Sequence, residues 1–249
     1  MSGGRRRAVQ SFVRRAGRLT RAQQRAMAEL WPRYGIAAGT AALDLDAVFG
    51  RGSGRRVVEI GYGNGESLVA MAAADPAADF LGIEVHEPGV GHCLLEIERS
   101  GVANVRLIAA DAMELLAGPL SAATIDRINL YFPDPWPKKR HHKRRIFNPA
   151  FLAAAHRVLK PGGRLHIATD WAPYAEHIRE QLRDARGFKV IDYREHAGEA
   201  PPERPTTKFE RRGLALGHRI FDWIAVAGED SGETADARMG RTGPGLSDV

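Results

Sequence analysis

The chain of 249 residues holds a single cysteine, Cys93, so no disulfide can form within it, and a reducing cytoplasmic setting is the expectation. Cys93 stands among Leu94, Leu95 and Ile97 on an expected helix, where a small buried apolar residue is the ordinary reading. Chemistry that needs an activated thiolate, such as attack on carbon 5 of a pyrimidine, therefore has no good nucleophile here. Long apolar runs are missing too. Nothing approaches the roughly 18–20 residues of a membrane span, and no signal-peptide core follows Met1. No Cys or His spacing resembles a metal site, so no metal is expected. The first 28 residues lack Asp and Glu while carrying eight Arg. Such a stretch suits a transit peptide or a basic arm for nucleic acid. Because it runs unbroken into Glu29, Leu30, Trp31 and Pro32, the arm is the better reading.

What is present fits one large α/β domain. A hydrophobic share of 44% with 27% charged residues is ordinary for a globular chain of this length. Strand patterns over 56–60, 80–85, 105–109, 127–132 and 165–169 alternate with helical patterns over 65–74, 88–100, 112–116 and 148–159. That alternation predicts a mostly parallel sheet covered on both faces. A helix over 173–185, a strand over 188–193 and a last strand over 218–227 complete it. The domain is expected over 36–228, preceded by a basic arm over 1–35 and followed by a disordered tail over 229–249 rich in Gly, Ser and Asp. The segment 199–207, with three prolines, reads as a loop.

Three glycines, Gly61, Gly63 and Gly65, follow the first predicted strand. Their G-x-G-x-G spacing differs from the dinucleotide G-x-G-x-x-G, whose third glycine would fall on Glu66. A carboxylate at a helix start repels a pyrophosphate, so a phosphate-free cofactor fits better. S-adenosyl-L-methionine is such a molecule, and its ammonium, ribose diol and adenine amine call for acceptors. Glu59, Glu84 and Asp111 close three successive strands, and in an open α/β sheet those ends converge on one cleft. Glu84 suits the ribose hydroxyls, Asp111 the adenine and Glu59 the methionine end.

The fourth strand runs into Phe132-Pro133-Asp134-Pro135-Trp136, where two prolines restrict the backbone around one carboxylate at the rim of that cleft. Lys138, Lys139, Arg140, His141, His142, Lys143, Arg144 and Arg145 follow, six of them permanent cations. Beside a reacting centre such a run favours a polyanion, as do the net charge of +6 and the pI near 9.8.

Together with Gly82-Ile83-Glu84-Val85-His86, Ala168-Thr169-Asp170-Trp171, Thr206-Thr207-Lys208-Phe209-Glu210-Arg211-Arg212-Gly213 and Gly217-His218, these motifs make the chain resemble the tRNA (guanine-N(7)-)-methyltransferase family. The resemblance spans about residues 11–227 and includes Gly17-Arg18-Leu19-Thr20 and Gln23-Gln24-Arg25. Tyr62, Asn64 and Phe221 depart from its commoner residues without removing a group the reaction needs. It implies a Rossmann-like class I methyltransferase fold of seven strands, the last antiparallel, acting on a guanine of the tRNA variable loop. It assigns cofactor contacts to Glu59, Glu84, Asp111 and Asp134, with Asp134 catalytic. Substrate contacts carry over to Lys138, Asp170, Thr207, Lys208, Phe209 and Glu210, and RNA contacts to the run Arg140, His141, His142, Lys143, Arg144 and Arg145. Lys138, Lys208 and Arg211 would hold phosphate or ribose. Rival readings are methylation of an exocyclic amine, whose loop carries two successive prolines after the Asp or Asn, a noncatalytic RNA-binding module, and a nicotinamide oxidoreductase, which Glu66 disfavours.

Overall fold

Neighbouring residues on the central strands belong to opposite layers: Val57, Phe80 and Leu107 pack in one apolar cluster while Val58, Leu81 and Ile108 pack in the other. This is the period-2 signature of a sheet buried on both faces, and in the computed structural model it resolves into eight strands. The structure describes residues 11–12, 17–52, 54–198 and 200–228. The strands are β1 (Gly35–Ile36), β2 (Arg55–Ile60), β3 (Ala78–Glu84), β4 (Val105–Ala109), β5 (Ile125–Tyr131), β6 (Leu159–Thr169), β7 (Phe188–His196) and β8 (Ile220–Ala227). They lie in the order β1-β4-β3-β2-β5-β6-β8-β7. All neighbours up to β6 are parallel, and β8 inserts antiparallel between β6 and β7. The antiparallel last strand is as expected; the two-residue edge strand β1 is an eighth that no pattern announced.

Helices α1 (Arg21–Glu29), α2 (Trp31–Tyr34), α3 (Leu45–Phe49), α4 (Glu66–Ala74), α5 (Glu87–Ser100), α6 (Ala112–Ala117), α7 (Pro149–Val158), α8 (Ala172–Asp184) and α9 (Lys208–Ala215) complete the described chain, with a 3-10 turn over Lys139–Arg144. Ala26, Leu68 and Leu94 place α1, α4 and α5 on one face. Leu116, Phe151 and Ile178 place α6, α7 and α8 on the other. Fully burying Leu68, Leu94, Leu116, Phe151 or Ile178 contributes about 1.5–3 kcal/mol each.

Two sequence expectations change. Residues 20–36 are not a detached arm: Thr20 and Gln23 form a capping box at the start of α1, Ala26 is fully buried, Arg25 pairs with Glu98 on α5, and β1 joins β4. A basic stretch thus acquires a core face through Ala26, Leu30 and Trp31. Second, β6 starts at Leu159, six residues ahead of the strand expected over 165–169, and so takes in Lys160-Pro161-Gly162-Gly163. The expected tail 229–249 lies outside the described residues, as does the start of the arm. Among the described residues, no helix is long and apolar enough to cross a membrane.

Candidate active site

The chain leaves β2 through Gly61, Gly63 and Gly65, all at positive φ of 60–84°, a region that only glycine enters without cost. Glycine is needed twice over at position 65, where a Cβ would lie 2.3 Å from the Cys93 sulfur on α5. The turn thus lets α4 and α5 close together. β2 and β5 are hydrogen-bonded neighbours at the point where strand order reverses, the crevice where open α/β sheets bind ligands.

A cavity of about 250 Å³ occupies that crevice. From β2 and its turn it takes Glu59, Gly61, Tyr62, Gly63, Asn64, Glu66 and Ser67; from β5, Tyr131 and Phe132; from the head of α9, Thr207, Lys208 and Phe209, with His86 beside them. A larger cavity of about 670 Å³ opens at the other end of the strands, around Arg55, Asp126, Lys160 and Arg204, and is lined by none of the site residues expected from the sequence.

Three buried polar groups gather in the crevice: the Tyr62 hydroxyl has no hydrogen-bond partner, and the Glu59 carboxyl has none besides the Ser67 hydroxyl next to it. Native interiors rarely leave such groups unsatisfied, so a set of three in one cavity marks where a polar ligand supplies the missing partners. Burial pushes the Glu59 carboxyl up to about 8, against the opposing influence of the Arg127 charge and the Ser67 hydroxyl. A ligand ammonium would offset that burial and favour the ionised form. The residues present therefore fit the amino-acid end of S-adenosylmethionine. Cys93, by contrast, is fully buried and its thiol pKa is driven up, chiefly by burial.

Glu84 and Asp111 stand at the ends of adjacent parallel strands, outside the lining of this cavity. Glu84 is tied down by three backbone amides: Oε2 accepts from Gly63 at 2.9 Å, and Oε1 accepts from Val85 at 2.7 Å and His86 at 3.0 Å. A carboxylate has about four lone-pair sites, so Glu84 braces the glycine turn and keeps one site, on Oε2, for a ligand. Asp111 caps α6, its Oδ1 accepting from the Met113 amide at 2.9 Å.

Asp134 is exposed and outside the cavity lining, two residues past Phe132 of its wall. Its loop is bracketed by two bulky residues in the left-handed region, Phe132 at φ 51° and Trp136 at φ 45°. Each such residue costs about 1–2 kcal/mol, offset here by fixed contacts. The Phe132 amide donates to Ala168 at 2.7 Å and the Trp136 indole donates to the Ser11 carbonyl at 3.1 Å. Arg144 stacks on Trp136, with 5.1 Å to the ring centroid. The aromatic residues, as well as the prolines, thus define how Asp134 is presented.

The basic run divides. Lys138, Lys139, Arg140 and Lys143 are exposed, while His141, His142 and Arg144 are half-buried. Arg145 is only 4% exposed: Nε donates to the Pro135 carbonyl at 3.0 Å, Nη2 meets His142 Nε2 at 3.2 Å, and the guanidinium covers the Tyr174 ring. The expected RNA contact at Arg145 is therefore corrected to a strut beneath the Pro-Asp-Pro loop, because the 3-10 turn rotates it inward.

Asp170, just past β6, pairs with His218 at 3.1 Å. Thr207 and Glu210 form the capping box of α9. Thr207 lines the cavity, but Glu210 is fully buried with both oxygens on Arg204, so a direct substrate contact at Glu210 is corrected to a position behind the wall. Lys208 and Phe209 are exposed at the mouth, Phe209 at 51%. Arg211 pairs with Glu66 across the crevice at 3.1 Å.

A family model described as "Putative methyltransferase" matches residues 53–223. The tRNA (guanine-N(7)-)-methyltransferase of Halorhodospira halophila is 52% identical over 88% of this chain and 94% of its own length. Those of Nitrosococcus oceani and Pseudomonas aeruginosa are 50% and 49% identical, each over 87% of this chain and 89% and 88% of their own lengths. The chain belongs to the tRNA (guanine-N(7)-)-methyltransferase family. Among solved structures, a 16S rRNA (adenine(1408)-N(1))-methyltransferase of Catenulisporales acidiphilia superposes with a TM-score of 0.55 at 19% identity, covering 78% of this chain and 96% of that one. An antibiotic-related methyltransferase gives 0.54, also at 19% identity, over 76% and 98%. At that identity these two show the fold alone, which is the class I methyltransferase arrangement expected.

Sequence reasoning quoted Tyr62, His86 and His218 only as members of motifs, without a role, and passed over Ser67 in the crevice and Arg204 behind Glu210. Helix α9 was missed as a helix, although Thr207-x-x-Glu210 is the capping-box signature that could have revealed it.

Proposed function

We propose that the crevice between β2 and β5 holds S-adenosylmethionine and presents it to N(7) of a guanine in tRNA, with Asp134 as the catalytic residue. The observation that carries this reading is the set of under-satisfied buried polar groups Glu59, Tyr62 and Ser67 in a cavity whose wall includes Phe132, two residues before Asp134. Bound there, S-adenosylmethionine supplies an electrophilic methyl group on a sulfonium.

N(7) of guanine carries an in-plane lone pair and no proton, so no general base is required. The protein's work is in-line placement and stabilisation of the charge that develops on the base. As the new N–C bond forms and the S–CH3 bond breaks, leaving neutral S-adenosylhomocysteine, the positive charge passes to the guanine, whose N(1)–H and exocyclic amine become stronger donors. A carboxylate held beside them binds the transition state more tightly than the ground state. Asp134 takes that role from a backbone whose flanking residues are already locked. Asp170, oriented by His218, is a second acceptor for the base. The exposed ammonium groups of Lys138 and Lys208 hold phosphate or ribose, and the cytoplasm is where such an RNA is met.

Incubating the protein with tRNA and labelled S-adenosylmethionine is expected to yield 7-methylguanosine on nucleoside analysis. A labelled exocyclic amine of adenine or cytosine would replace this reading with its nearest rival. Asp134→Ala is expected to abolish turnover while cofactor affinity, measured by calorimetry, remains; near-normal turnover would remove Asp134 from the chemistry.

A further inference from the structure

We propose that Arg204 is a positioning residue that aligns the substrate-side wall of the active site through Glu210 and Phe132. The inference rests on the proposed function and names a residue that touches neither ligand: Arg204 is absent from the lining of the crevice cavity.

Its guanidinium has five N–H donors, and all are engaged. Nε and Nη2 hold Asp222 Oδ1 and Oδ2 at 2.7 and 2.8 Å, while Nη1 and Nη2 hold Glu210 Oε2 and Oε1 at 2.5 and 3.1 Å. The remaining Nη1 donor reaches the Pro205 carbonyl at 3.4 Å. One plane thus grips two carboxylates bidentately, which the ammonium of lysine cannot do.

The two carboxylates belong to different elements, and each leads somewhere. Asp222 is the third residue of β8 and anchors the fork to the sheet. Glu210 Oε2, besides taking Arg204, accepts from the Thr207 amide at 3.2 Å, and Thr207 Oγ1 accepts from the Glu210 amide at 3.1 Å. The position of the α9 head, which puts Thr207, Lys208 and Phe209 into the cavity, therefore follows from where Arg204 holds Glu210. On its faces the same guanidinium lies 5.6 Å from the ring centroids of both Tyr131 and Phe132. Phe132 is the left-handed residue from which the Pro133-Asp134-Pro135 loop departs. A single buried side chain consequently sets the relation between the Asp134 loop and the Thr207 wall, the two sides between which a guanine would enter. Stability alone does not call for such a cluster, since well-packed apolar residues replace buried ion pairs at little or no cost.

The test compares wild type with Arg204→Lys and with a neutral triple variant, Arg204→Met, Glu210→Gln and Asp222→Asn, which removes the buried charges together. Leu182→Ala, a core truncation at the far end of α8, serves as a control for plain destabilisation. Measured for each are melting temperature, S-adenosylmethionine affinity by calorimetry, and kcat and KM on tRNA. Arg204→Lys and the triple variant are expected to lose about 100-fold in kcat/KM for tRNA while cofactor affinity stays within about 3-fold. Leu182→Ala is expected to melt lower but to turn over normally well below its melting temperature. The proposal is overturned if Arg204→Lys or the folded triple variant keeps wild-type kcat/KM, if cofactor affinity falls as far as kcat/KM, if Leu182→Ala loses as much activity, or if neither Arg204 variant folds. Wild-type protein that fails to modify N(7) in tRNA would instead bring down the underlying reading.

Discussion

At the scale of single residues, environment decides chemistry more than residue type does. Glu59 and Glu84 are both buried glutamates at the ends of neighbouring strands, yet Glu84 is satisfied by three amides while one oxygen of Glu59 has no partner. The cost of that burial is measurable. Because burial raises the Glu59 pKa from 4.5 to about 8, the folded protein holds this proton more tightly than the unfolded chain. Its contribution to stability is full below pH of about 4.5, declines as pH rises, and is lost above about 8. At about 1.4 kcal/mol per pKa unit the ceiling is roughly 5 kcal/mol. Glu59→Gln cannot ionise, so melting curves of ligand-free protein are expected to show wild type losing ground to the variant between pH 5 and about 8 and levelling off above it. Parallel curves would mean that Glu59 titrates normally. Arg144 and Arg145 make the same point about cations: one stacks half-exposed on Trp136, and its neighbour is buried against Tyr174.

At the scale of elements, the site is built from terminations. β2 ends in a glycine turn, β5 ends in a proline loop, and α9 begins in a capping box, so most of the cavity lining lies where regular hydrogen bonding stops and side chains or ligands must complete it. The glycine turn is the least tolerant. Gly65→Ala would place a methyl against Cys93 at a φ of 84°, combining a left-handed alanine with overpacking, each of which costs about 1–3 kcal/mol. Chemical denaturation is expected to show a loss of that order or more, with weakened cofactor binding because α4 and α5 separate; an unperturbed midpoint would mean that α5 moves aside freely. These terminations were largely legible. Glycine, proline and capping residues act through local backbone geometry, which is why Gly61, Gly63, Gly65, Pro133 and Pro135 could be assigned from order alone. α9 was equally local, and Thr207 with Glu210 was overlooked rather than hidden.

At the scale of the whole molecule, charge decides how RNA is met. Lys143 is exposed and Arg145 is a strut, so substitutions two residues apart should part company. Lys143→Ala is expected to reduce the slope of log affinity for tRNA against log salt by about one without altering the melting temperature. Arg145→Ala is expected to cost about 1–3 kcal/mol of stability through the unsatisfied Pro135 carbonyl, with little change in slope. Equal slopes for wild type and Lys143→Ala would take the run off the RNA surface. The sequence alone determined what depends on neighbours along the chain: alternating strands and helices, a phosphate-free glycine turn, a proline-clamped carboxylate and an excess of basic charge. Only the tertiary structure decided which of those charges face outward and which buried groups meet. Arg204, Glu210 and Asp222 are separated by up to 18 residues, and His166 meets Asp222 across 56. Their contacts exist because packing β8 between β6 and β7 excludes water from the space between them. Desolvation is a property of the assembled sheet, and no local pattern of residues carries it.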